Sequence, residues 1–181
     1  LSVRGGNENT KYSFSGSLND QDGIIINSNY KRYQGRLVVD QNLSRKVKIG
    51  VNTNYSHLEQ SGASPSISTA SATTNIMVSV WGSRPVYTDE SSDDQLQDPD
   101  VNPANDYRVN PYLNLQNLYR VRTTKNINTN AYLEYLILPE LKLRVSNGII
   151  ENRVESGLFN NSLTQYGYPG SVNGINGSIQ Y

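Results

Sequence analysis

Few residues in this chain are of a type that does covalent chemistry. His57 is the only histidine and there is no cysteine, so a nucleophile–base pair would have one base to draw on and no thiol. No G-x-S-x-G elbow, phosphate-binding P-loop or H-E-x-x-H helix occurs. His57 falls where the fourth regular segment gives way to a long connection, a place for a solvated side chain. Asp93 and Asp94 are adjacent in an acidic stretch rich in Pro and Asn, where nothing fixes the carboxylate separation that glycoside hydrolysis requires. Asp98, Asp100 and Asn102 reproduce the opening of a calcium loop, but Pro103 stands where such a loop needs glycine and Val109 where it needs glutamate. A solvated acidic loop is the simpler reading, and neither metal nor cofactor is expected. Trp81, Tyr87, Tyr107 and Tyr112 are candidates for stacking on a sugar or peptide, since flat rings meet apolar faces while neighbouring asparagines donate and accept hydrogen bonds. For Trp81, packing inside the loop's own small core is the expectation. No enzyme is read from these residues.

The composition narrows the classes further. The 181 residues carry 16 basic and 16 acidic side chains, so no net field draws in nucleic acid or anionic lipid. Only 35% of residues are hydrophobic and 18% charged, while 23 are asparagine and 13 tyrosine. Disorder pairs low hydrophobicity with high net charge and few aromatics, which is not the pattern here. Without cysteine there is no disulfide framework and no thiolate metal site. No run of 18 apolar residues encodes a membrane helix.

The elements that must position any site are strands. In KNINTNAYLEYLIL, residues 125–138, Asn126, Asn128, Asn130 and Glu134 alternate with Ile127, Ala131, Leu133, Tyr135 and Ile137, the period of two that sends successive side chains to opposite faces of a sheet. Strands are expected at about 1–6, 11–20, 31–43, 47–56, 119–137 and 141–154. Tight turns at Asn7–Thr10, Ser44–Lys46 and Leu138–Glu140 alternate with long connections over 20–30, 57–118 and 155–175. In an up-and-down meander that gathers the short turns at one end and the long loops at the other, as in outer-membrane barrels. The polar rows carry Arg32, Arg36, Asp40, Glu134 and Arg144 at interior strand positions, where a lone buried charge is costly, so these rows need water. A solvated lumen supplies it; so does bulk solvent beside an open, soluble sheet. Tyr12, Tyr33, Tyr55, Tyr132 and Tyr135 are candidates for aromatic girdles. Within the longest loop, Ser64 and Pro65 could cap a helix running to Gly82 with Met77, Val80 and Trp81 on one face.

The run GGNENTKYSFSGSLNDQDGIIINSNYKRYQGRLVVDQNLSRKVKIGVNTNYS resembles the first barrel hairpins of the SusC/RagA-like TonB-dependent transporters of Bacteroidetes. The resemblance lies in the GG-N-x-x-T-x-Y turn, the Asp-Gly-Ile-Ile loop, the K-R-Y opening of the third strand and the closing G-x-N-x-x-Y. NPYLNLQN and NTNAYLEYLILPELKLRVSNGI are similar too, as is the loop helix followed by R-P-V-Y. This resemblance implies an all-β section of a large antiparallel transmembrane barrel of roughly 22 strands with a plugged lumen, in the bacterial outer membrane. It implies import of a glycan, oligosaccharide or peptide, driven through the TonB complex and covered by a SusD-like surface lipoprotein. The sequence starts mid-pattern at LSVRGG and holds no signal peptide, plug domain or TonB-contacting segment, so it is expected to be an internal barrel fragment. Arg32, Arg36, Asn52, Asn54, Asn128, Asn130, Glu134 and Arg144 are the lumen-facing candidates. A sugar-gripping surface module and an outer-membrane adhesin are the alternatives.

Overall fold

The structure, a computed structural model, describes residues 1–63, 76–82, 110–167 and 176–181. Its strands are β1 (Ser2–Gly6), β2 (Thr10–Asp22), β3 (Asn29–Asn42), β4 (Val47–Ser61), β5 (Leu118–Leu138), β6 (Leu141–Asn160) and β7 (Asn176–Gln180), and its helices are α1 (Ile76–Gly82) and α2 (Pro111–Asn117). All seven strands form one sheet in sequence order, an uninterrupted meander. The tight turns are built by side chains that stand in for backbone. Asn7 Oδ1 accepts from the amides of Asn9 and Thr10 at 2.9 and 2.7 Å, and Ser44 Oγ accepts from those of Lys46 and Val47 at 3.2 and 3.1 Å, as Asx and Ser turns do. Asn42 N also donates to Asn9 O at 2.7 Å, joining the end of β3 to the neighbouring turn.

Two compact units divide the chain. The first comprises Leu1–Gln21, Tyr30–Glu59 and Thr123–Val154. It contains no buried hydrophobic residue: among the described residues only Ile76 (7% exposed) and Leu115 (8%) qualify, and both lie in the second unit. The apolar rows are open instead, with Val51 at 37% and Leu133 at 45% exposure and no second sheet or helix layer among the first unit's segments. A two-layered soluble domain hides one face of each sheet, and this one does not. Along β4 the apolar row runs from Val47 to Tyr55. At about 3.3 Å per residue and a tilt near 45° it covers roughly 20 Å, close to the roughly 25 Å apolar band of outer-membrane barrels. The architecture is that of a section of an antiparallel transmembrane barrel wall. Among the described residues no helix is long and apolar enough to cross a membrane.

Several strands outrun their alternation. β2 continues to Asp22 and β3 begins at Asn29, so their connection is six residues, Gly23–Ser28, closed by Gly23 N donating to Ser28 O at 2.9 Å. β4 reaches Ser61 and β6 reaches Asn160. Beyond the lipid band both faces of a strand meet water, so its sequence no longer alternates although its ladder goes on. β7 was concealed for the same reason. His57 therefore belongs to β4, its ring 6.0 Å from that of Tyr33.

The second unit comprises Asp22–Asn29, Gln60–Arg122 and Glu155–Tyr181. α1 ends at Gly82 as expected, and the residues proposed for its first turns lie outside the described ones. The buried side of α1 is Ile76 and Ser79, whereas Trp81 is 78% exposed; the expectation that Trp81 packs inside the loop is corrected. α2 was read as loop. Its signal was present: Asn110 caps it, Oδ1 accepting from the amides of Tyr112 and Leu113, and Pro111 opens the first turn, the pairing that favours a helix start. Asn110→Ala is expected to weaken this helix by about 1 kcal/mol. Faster hydrogen exchange at the Tyr112 and Leu113 amides, with strand amides unchanged, is the readout.

Candidate functional site

The polar face of the first unit gathers the predicted residues, and the contacts between strands fix which side each occupies. Arg36 Nε on β3 donates to Asn52 Oδ1 on β4 at 3.4 Å. Asn130 Nδ2 donates to Asn128 Oδ1 on β5 at 3.0 Å. Glu134 on β5 takes Lys142 at 2.8 Å on one oxygen and Arg144 at 3.1 Å on the other, both from β6. Arg32 lies on the same row of β3 as Arg36; turned so that its oxygen faces Arg32, the Gln34 amide accepts from Arg32 Nε at 3.1 Å. Ser17 Oγ on β2 lies 3.3 Å from that amide. Asn54 shares the row of Asn52 and lines a shared groove with Arg36. All eight strand candidates thus stand on one face.

Tyr132 is not a girdle residue. It stands on the polar row of β5, where its hydroxyl donates to Asp40 Oδ1 on β3, and the Arg144 guanidinium lies 4.5 Å and the Lys48 ammonium 5.7 Å from its ring centroid. To reach Asp40 the ring crosses β4 directly over Gly50, whose missing Cβ leaves the space: a methyl there would collide with the ring and with Asp40 Oδ1. Sequence alone places the tyrosine among girdle candidates, because neither residue by itself reveals the other. Tyr12, Tyr33, Tyr55 and Tyr135 do stand on the apolar side, each at least two-fifths exposed.

Two open clefts indent this face. One, about 640 Å³, lies against the short turns and is lined by Asn42, Lys46, Lys48, Glu134 and Lys142 among others. The other, about 300 Å³, is lined by Ser17, Gln34, Arg36, Asn54 and Asn126 with their neighbours. Both present hydrogen-bonding side chains, and among the described residues no group of three metal-ligating side chains forms.

In the second unit the residues that organise the loops are asparagines. Asn27 Nδ2 donates to Leu115 O at 3.2 Å, Asn161 Nδ2 to Asn117 Oδ1 at 2.8 Å, and Asn114 Oδ1 accepts from Gln165 N at 3.0 Å. Thr164 is fully buried, its hydroxyl donating to Asn161 O at 2.8 Å. Asn160 is buried too, and its Oδ1 accepts no hydrogen bond among the described residues. Burial pushes the Tyr166 phenol above its ordinary range. Tyr112 is exposed; Tyr87, Tyr107 and the Asp98–Asn102 run lie outside the described residues.

No family model matches the chain. Over 160 residues, 88% of its length, it is 25% identical to TonB-dependent receptor P3 of Formosa agariphila. Over 135 residues, 75% of its length, it is 27% identical to TonB-dependent receptor P26 of the same organism. It spans 16% of the first relative and 12% of the second. A meander with one open apolar face and one amide- and charge-bearing face is thus joined to a matching sequence relation, and the chain is related to TonB-dependent receptors.

Proposed function

We propose that this chain is a stretch of wall in an outer-membrane importer of the SusC/RagA-like kind, taking up a glycan, oligosaccharide or peptide. The observation that carries this reading is the two-faced sheet without a core. Its apolar rows meet lipid, and its rows of Arg32, Arg36, Asn52, Asn54, Asn128, Asn130, Glu134 and Arg144 meet the water of a lumen. The long connections, with Trp81 and Tyr112 exposed on them, lie outside the membrane and help contain substrate beneath a SusD-like lipoprotein. Energy reaches the lumen through TonB, by segments other than these. No step of covalent chemistry is required, since selective passage rests on hydrogen-bonding and charged side chains along the wall.

The test uses the full-length protein in its bacterium. It should fractionate with the outer membrane, need detergent for extraction and shift in electrophoretic mobility on heating, and the uptake it supports should vanish when TonB is removed. Release into plain buffer as a monomer would overturn the reading.

A further inference from the structure

The charges of the first unit are sorted by face, which the zero net charge of the chain conceals. On the polar face stand Arg32, Arg36, Lys48, Lys142 and Arg144, joined by Arg4, which pairs in register with Ser13, and by Lys11 on that same row. The carboxylates there are Asp40 and Glu134, and both are engaged: Asp40 by the Tyr132 hydroxyl, Glu134 by Lys142 and Arg144. On the apolar face the charges sit near the ends of the unit's segments and balance, Asp20 pairing with Lys31 at 3.4 Å, with Glu59, Lys125, Glu151 and Arg153 on the same rows. Among the described residues Arg36 meets the neutral Asn52 amide, and Arg32 that of Gln34. Guanidiniums held by neutral acceptors keep most of their donors and all of their charge.

We infer that this face binds an anionic oligosaccharide, one bearing carboxylates or sulfates, with Arg36 as the anchor in the groove of about 300 Å³. The inference rests on the reading of this face as a lumen, where low-dielectric walls focus the field of a one-signed surface. A guanidinium meets a carboxylate or sulfate through paired N–H groups. Hydroxyls and amides from Ser15, Ser17, Gln34, Asn54, Ser56 and Asn126 line the rest of the groove together with Gly16, Gly35 and Tyr55, and no aliphatic side chain lines it. Such a lining suits the hydroxyls of a sugar, which donate and accept, and offers the side chains of a peptide no aliphatic pocket.

The full-length protein in detergent is titrated calorimetrically with hexagalacturonate and its neutral methyl ester, with a sulfated dextran oligomer and its unsulfated parent, and with hexa-aspartate. In at least one sugar pair the charged member should bind about tenfold more tightly than the neutral one, and added salt should narrow that gap. Arg36→Gln should weaken the charged sugar about tenfold, the effect of losing one charge-assisted contact, while Glu59→Gln on the other face leaves it unchanged. Arg36→Lys, which keeps charge but not the fork, should fall between, and serves if the glutamine variant does not assemble. Equal binding or no binding within both pairs overturns the inference, as does binding of hexa-aspartate alone. Those results leave the importer reading intact, because that reading fails separately, through recovery of the protein outside the outer membrane.

Discussion

Leu133→Arg destabilises the assembled full-length barrel by about 2–4 kcal/mol, the penalty for a cation facing the middle of the lipid band. Leu133 lies mid-way along the apolar row of β5 and is 45% exposed with no protein layer over it. Asn128→Arg, five residues earlier on the opposite row, is expected to change stability by under about 1 kcal/mol, because that row meets water. Urea-induced unfolding in lipid vesicles reads both. A soluble sheet gives no such difference: arginine on an open, watery face is nearly free, and equal small effects for the two substitutions would refute the assignment of faces.

Gly50→Ile is expected to destabilise by about 3 kcal/mol. The branched Cβ occupies the space through which Tyr132 crosses to Asp40, so the ring must leave, and overpacking of this kind costs about 1–3 kcal/mol. Loss of the hydroxyl also leaves the Asp40 carboxylate without its donor, and a hydrogen bond to a charged group contributes about 1.5–3 kcal/mol. The two losses share one cause and do not add in full. In a Tyr132→Ala background the same Gly50→Ile change should cost under about 1 kcal/mol, since only the tip of the Asp40 side chain, no longer held by the hydroxyl, has to shift. A penalty that persists without the ring would mean that the glycine serves the backbone rather than the tyrosine. Tyr132→Phe separates the hydroxyl from the ring: it loses the bond to Asp40 but keeps the steric requirement at Gly50.

How far the sequence could be read depends on where lipid stops. Inside the band, water on one side and hydrocarbon on the other write a period of two into the residues, and β3, β4, β5 and β6 were legible as strands, with Arg32, Asn52, Asn128 and Arg144 sharing one face. Past the band, Asp20–Gln21–Asp22 and Glu59–Gln60–Ser61 are polar on both sides, so the outer reaches of β2 and β4 and the short Gly23–Ser28 turn left no such mark. α2 was recoverable from Asn110 and Pro111, and was missed because the surrounding stretch has loop composition. The charge sorting was hidden for a different reason, as a net charge sums over faces. The Gly50–Tyr132–Asp40 contact joins three strands, and its register depends on turn geometry that no single segment encodes.

The bond from Asn42 N to Asn9 O has a mechanical meaning. Neighbouring β-hairpins usually meet only along their strands, so a pull on one turn peels it like a zip, opening one rung at a time. Here the end of β3 is fastened to the neighbouring turn at the rim, and a tug on either is shared by both hairpins in parallel. The rim should yield late and abruptly under force, as one double-width flap instead of two successive ones.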